Sequence, residues 1–204
     1  MFIITLPILL FSVIFHEVAH GWMANRFGDD TARVSGRITF NPLPHIDLFG
    51  TVILPLTLII FQSPFLFGWA KPVPINPYRF YNYRLGTILV SLAGPGSNIL
   101  LALIFALAAW ILKFAGLLLS PIFIFLNYGV IINLLLAFFN LLPIPPLDGS
   151  HLFAFLLPSD LAYRYESLAP YGMFIIMILF MAGLFNYLYL LIIWVHRLLF
   201  LGII

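Results

Sequence analysis

The chain has 204 residues and no cysteine. Disulfides and thiolate metal sites are therefore excluded, and a bound metal must take nitrogen and oxygen ligands. Five histidines and seven carboxylates are the candidates. Charge is also scarce, at 8% of residues, where a soluble domain carries about 25%. The nine Lys and Arg are scattered without a basic stripe, so nucleic acid is not an expected partner. There is no internal repeat and no low-complexity tract. The apolar residues 1–15 have no basic segment before them and no small-x-small site after them. That argues for a retained segment rather than a signal peptide.

What the sequence has in excess is apolar side chains, at 63% of residues with a mean hydropathy of +1.13. The lipid bilayer is the expected solvent, and residues 1–204 read as a single membrane-embedded domain. Apolar segments run over 2–25, 48–67, 86–112, 121–142 and 170–195. All but the second are long enough for a spanning helix, which needs about 20 residues. The 48–67 segment is marginal and holds Pro55 and Pro64.

The expected fold class is membrane all-α: a polytopic helical bundle with a broken helix, a re-entrant 48–67 segment and short β-strands at the cytoplasmic face. The strand expectation rests on the alternation in Arg33-Val34-Ser35-Gly36-Arg37-Ile38-Thr39-Phe40. The re-entrant expectation rests on charge. If 48–67 turns back, Arg26, Arg33, Arg37, Lys71, Arg79 and Arg84 share one face with Arg164, leaving Lys113 and Arg197 opposite. The positive-inside rule then makes the first face cytoplasmic. The break is Asn140-Leu141-Leu142-Pro143-Ile144-Pro145-Pro146-Leu147-Asp148-Gly149, whose prolines interrupt an element running over about 121–157. Broken helices at membrane depth commonly line a site.

His16-Glu17-Val18-Ala19-His20 is an H-E-x-x-H motif. On a helix, positions i and i+4 share a face, so both imidazoles reach one ion and Glu17 can take a proton from a water there. Its chance occurrence in this composition is roughly one in a thousand. His16 would lie about 20 Å along its helix, deep in hydrocarbon. A carboxylate there costs at least ~3 kcal/mol, which a metal site compensates and two hydrogen-bonded core histidines do not. Catalytic zinc takes three protein ligands. The third could be Asp29, Asp30, Asp47, Asp148, Asp160 or Glu166. Asp148 alone is flanked by apolar sequence on both sides, although it could instead cap a helix over 149–157.

These residues resemble the site-2 protease family of intramembrane zinc metalloproteases. The resemblance is carried by HEVAH at 16–20, Asn41-Pro42 with His45-Ile46-Asp47, Gly68-Trp69-Ala70-Lys71-Pro72-Val73-Pro74, Gly94-Pro95 with Asn98, and Asn140 with Pro146-Leu147-Asp148-Gly149. It implies one zinc per chain on His16, His20 and Asp148, with Glu17 as general base. It also implies hydrolysis of peptide bonds in or near transmembrane helices of membrane protein substrates. It implies an active site toward the cytoplasm, and the lack of a targeting sequence points to a prokaryotic plasma membrane as the expected setting. No segment is long enough for the PDZ or CBS domain that many bacterial members carry.

An oxyanion or substrate contact is expected from Asn140, ahead of Asn98 and His45. Asn140 could equally serve backbone groups freed by the prolines. Gly94-Pro95-Gly96-Ser97 reads as close helix packing. His151 and His196 read as interfacial residues. The 33–40 and 48–67 regions are candidates for clamping an extended substrate by strand addition. Two other functions fit the composition less well. A metal-ion transporter would not need Glu17 between two ligands, and an inactive scaffold would not need all four site residues.

Overall fold

A computed structural model describes residues 2–61, 68–118 and 120–200. Helix α1 (Phe2–Arg26) carries Pro7 in its first turns and ends on Arg26. A four-residue helix α2 (Thr31–Val34) follows. A π-turn over Leu48–Ile53 leads into α3 (Leu54–Ile60). Next come α4 (Tyr83–Phe114), capped by the Asn82 carboxamide on Leu85 N–H, and α5 (Pro121–Asn140), capped by Ser120. Four shorter helices complete the chain: α6 (Asp148–Ala154), α7 (Ser159–Glu166), α8 (Gly172–Met181) and α9 (Leu184–Leu199).

Three helices, α1, α4 and α5, are long and apolar enough to cross a membrane. The 32 residues of α4 extend about 48 Å at 1.5 Å per residue, more than a ~30 Å hydrocarbon core. The expected span over 170–195 is bent by 77° between α8 and α9, as a broken span or a re-entrant turn would be. Gly183, at φ +85, sits at the bend in a conformation other residues avoid.

The bundle is small inside and large outside. Ala102, Ala106 and Ala109 of α4 are buried with Val130 and Leu134 of α5 and Leu188 and Ile192 of α9. Leu100, Leu103, Ile104, Leu107 and Ile111 of α4 point outward. In lipid there is no hydrophobic gain between helices, so small residues that permit close backbone approach hold the interface. Gly129 is one such point, since a Cβ there would press on the Phe105 ring.

Among the described residues there is no strand, which corrects the expectation for 33–40. The chain there finishes α2 and then turns at Gly36, where φ is +66. The segment it faces, 71–74, cannot complete a ladder, because Pro72 and Pro74 have no N–H. The carbonyls of Lys71 and Pro72 are taken by the Arg37 guanidinium, at 2.7 and 3.2 Å.

Residues 62–67 of the 48–67 segment lie outside the described residues, but the flanks of the segment meet. Trp69 N–H donates to Gly50 O at 3.1 Å, and the Thr51 hydroxyl donates to Trp69 O at 2.8 Å. From Trp69 the chain runs extended across the end of α1. Lys71 N–H donates to His45 O, Val73 N–H to the Glu17 carboxylate and Asn76 N–H to Asp29.

Candidate metal centre

The expected break is present, and it places Asp148. After Asn140 the chain makes a series of tight turns and re-enters helix at Asp148. Gly149 fits against the carbonyls of Leu141 and Leu142 with no room for a Cβ, which packs the start of α6 on the turn that follows α5, while α6 itself lies against α4. Leu147, not Asp148, occupies the N-cap position of α6, and the helix start carries no side-chain capping bond, so the capping alternative is set aside. The Asp148 carboxylate turns toward α1 instead.

There it meets both histidines. His16 Nε2 and His20 Nε2 are 3.0 Å apart, and Asp148 Oδ2 lies 3.2 Å from the first and 3.3 Å from the second. Four-coordinate zinc with bonds of about 2.0–2.1 Å places its ligand atoms roughly 3.3–3.4 Å apart, so this triangle fits that ion. Asp148 Oδ2 is buried and accepts no hydrogen bond. A carboxylate oxygen in that position needs a cation.

Both rings are oriented from behind. His16 Nδ1 donates to Asn98 Oδ1 at 2.7 Å, and His20 Nδ1 donates to Val90 O at 2.7 Å. With Nδ1 carrying the proton, each Nε2 presents its lone pair to the centre. The residues responsible are on α4. Gly94 lies against the two imidazoles, and a Cβ there would stand 2.6 Å from His16 Nε2. Pro95 lacks the N–H that would bond the Ser91 carbonyl. The Val90 carbonyl of the same turn serves His20. Val90, Gly94 and Asn98 are therefore built around the histidines, beyond the helix packing expected of the Gly94 segment. Asn98 is fully buried and faces away from the cleft, which removes it as an oxyanion contact.

A cleft of about 1030 Å³ opens on this centre. His16, Glu17, His20, Asn140 and Asp148 line it, with Val73 opposite. Val73 N–H donates to Glu17 Oε2 at 2.8 Å, which holds the carboxylate beside the metal position and leaves Oε1 available. Asn140 spends one amide hydrogen on Leu136 O, 2.9 Å away, and has a second to offer.

The other histidines are elsewhere. His45 is buried in the 39–47 loop, where its Nε2 donates to Thr39 O. His151 stands at the cleft mouth, 3.9 Å from Glu166. His196 is buried on α9 with its Nε2 against Asn127 Oδ1, so it is not the interfacial residue expected. The signal missed in the sequence was Asn133, an amide in the middle of the apolar α5, which bonds to Asn98 and to Ser12.

Residues 117–182 match the family model described as "Peptidase family M50". The chain is 38% identical over 184 residues to a Bacillus subtilis protein named "Putative zinc metalloprotease YwhC", covering 88% of this chain and 80% of that one. The same description is given to Rip2 of Mycobacterium tuberculosis and to MJ0611 of Methanocaldococcus jannaschii. Rip2 is 32% identical over 192 residues, with 91% of this chain and 69% of that one covered. MJ0611 is 34% identical over 148 residues, with 72% and 68% covered. No solved structure gives a significant match.

Proposed function

The chain belongs to peptidase family M50, the site-2 proteases, and from that premise we propose that it is an intramembrane zinc metalloendopeptidase acting on peptide bonds in or near transmembrane helices. The observation that carries this reading is the convergence of His16, His20 and Asp148 on one point beside Glu17. Zinc, when bound, supplies a Lewis acid that polarises the scissile carbonyl and brings the pKa of a water toward ~7.

The chain's own residues supply the rest. His16, His20 and Asp148 hold the ion, and their single negative charge together with that of Glu17 balances it. This resolves the cost of two carboxylates at membrane depth. Glu17 accepts a proton from the attacking water and passes it to the departing amine. Its Oε2 is fixed by Val73 N–H, so Oε1 is the basic atom. Asn140 offers its spare amide hydrogen to the developing oxyanion or to the substrate main chain.

A helical peptide bond is shielded by its own hydrogen bonds, so the substrate must lie extended in the cleft. The 33–40 segment offers no strand edge for this. Two readings concern the membrane. The bonds between Gly50 and Trp69 support a re-entrant 48–67, with both flanks on one side. That places Arg26, Arg33, Arg37, Lys71, Arg79 and Arg84 together, and the positive-inside rule assigns their side, and the cleft, to the cytoplasm of a prokaryotic plasma membrane. Residues 1–204 then act as one membrane-embedded domain on membrane protein substrates.

The test is cleavage of a single-span substrate by the purified protein in detergent, after chelation and after zinc is restored. Loss and recovery of cleavage are expected. Cleavage that persists in the chelated, zinc-free protein would overturn the reading.

A further inference from the structure

A seam of buried polar side chains crosses α1, α4 and α5 and ends on His16. Ser12, Asn98 and Asn133 are each fully buried within it. We propose that Asn133 and Ser12 are positioning residues for the metal centre: they set the orientation of the Asn98 amide and, through it, the ring tautomer of His16. The inference rests on the metal reading above and extends it to residues that touch neither metal nor substrate.

The direction of each amide follows from groups that can only accept. Gly129 O lies 2.8 Å from the Asn133 amide, so the nitrogen of that amide must face it. The other Asn133 hydrogen goes to Ser12 Oγ at 2.9 Å. Asn133 Oδ1 is then turned to Asn98, whose Nδ2 donates to it at 2.9 Å and to Ser12 O at 3.2 Å. With both hydrogens spent, Asn98 can present only its oxygen to His16. His16 Nδ1, 2.7 Å away, must carry the proton. Its Nε2 is left bare and aimed at His20 and Asp148.

Reversing the Asn98 amide would set its oxygen against two other oxygens and press an NH₂ on His16 Nδ1. The ring would then be driven to the other tautomer, with a proton on the nitrogen that must bind metal. Helix cohesion alone would not require every donor in the chain to be aimed in one direction. The Asn127–His196 pair between α5 and α9, at 2.9 Å, is a part-buried bond between the same kinds of side chain that reaches no candidate metal ligand.

The experiment measures zinc affinity by chelator competition in the purified protein, with the visible spectrum of the cobalt-substituted protein as a second readout. Asn133→Leu should weaken zinc by about 10–100-fold and alter the cobalt spectrum, the range seen when outer partners of metal ligands are removed. Asn127→Leu should do neither. In an Asn98→Asp background one carboxylate oxygen accepts from His16 whichever way the group is turned, and the other is set against Asn133 Oδ1, so Asn133→Leu should no longer weaken zinc. Unchanged zinc affinity in Asn133→Leu, or an equal loss in the Asn98→Asp background, overturns the proposal. If these variants fail to insert, ¹⁵N-histidine spectra of the unaltered zinc-loaded protein decide it. His16 should be bound through Nε2 with Nδ1 protonated, and binding through Nδ1 overturns it. Failure of the unaltered protein to bind zinc would instead sink the metal reading itself.

Discussion

Gly94 and Gly96 stand two residues apart in α4, and the same substitution should have opposite outcomes at them. In an ordinary helix interior, Gly→Ala gains about 1 kcal/mol. At Gly96 an added Cβ meets nothing within 4 Å, so that gain should be realised. At Gly94 the Cβ would collide with His20 Nε2 and stand 2.6 Å from both Cε1 and Nε2 of His16. Carbon contacts are comfortable at roughly 3.5–4 Å, so the rings or the helix must shift by about 1 Å. The rings have no slack, because Asn98 and Val90 hold their Nδ1 atoms. Metal–ligand distances tolerate only ~0.2 Å. Gly94→Ala should therefore lose more than ~100-fold in zinc affinity, about 2.8 kcal/mol. Chelator competition on the purified protein measures the affinity, and thermal unfolding of the metal-free form separates it from stability. Zinc binding by Gly94→Ala within about threefold of the unaltered chain would refute the packing argument, as would an equal loss in Gly96→Ala.

Asp148→Ala should abolish tight zinc binding yet leave the metal-free stability nearly unchanged, because α6 has no side-chain capping bond; a loss near 1 kcal/mol in thermal unfolding would restore the capping role. Arg37→Met frees the Lys71 and Pro72 carbonyls and should cost about 1.5–3 kcal/mol. Since Glu17 is held by Val73 of the same segment, its kcat should fall while zinc affinity, measured alongside, does not. In Gly50→Ala the new Cβ would enter the Trp69 ring and pry the flanks of 48–67 apart. A loss of roughly 1–3 kcal/mol is expected in the same unfolding assay.

The cluster proposed to hold the metal was legible because its signals are local. His16 and His20 are one helical turn apart, and Asp148 stands where prolines forbid a continuous helix. What holds those ligands was not legible. Asn98 lies 82 residues from His16, and no sequence period says which face of α4 will meet α1. Asn133 gave one usable sign, an amide in a span with no other need for it, since an unmatched polar group in hydrocarbon is costly. The 33–40 alternation misled because period two identifies a surface, not a partner. The opposing backbone lacks donors at Pro72 and Pro74, and Arg37 occupies its acceptors. The 77° bend near Gly183 lies inside an apolar run, where hydropathy alone does not mark it. Glycine's tolerance of positive φ, rather than a change of polarity, permits the turn there.

The central claim is that Glu17 is the base of a zinc peptidase and not a structural carboxylate. The most direct measurement compares Glu17→Gln with the unaltered chain, each carrying one zinc, on the same single-span substrate. Equal zinc content with cleavage lost is the result the account predicts. Cleavage by Glu17→Gln at the unaltered rate would contradict it.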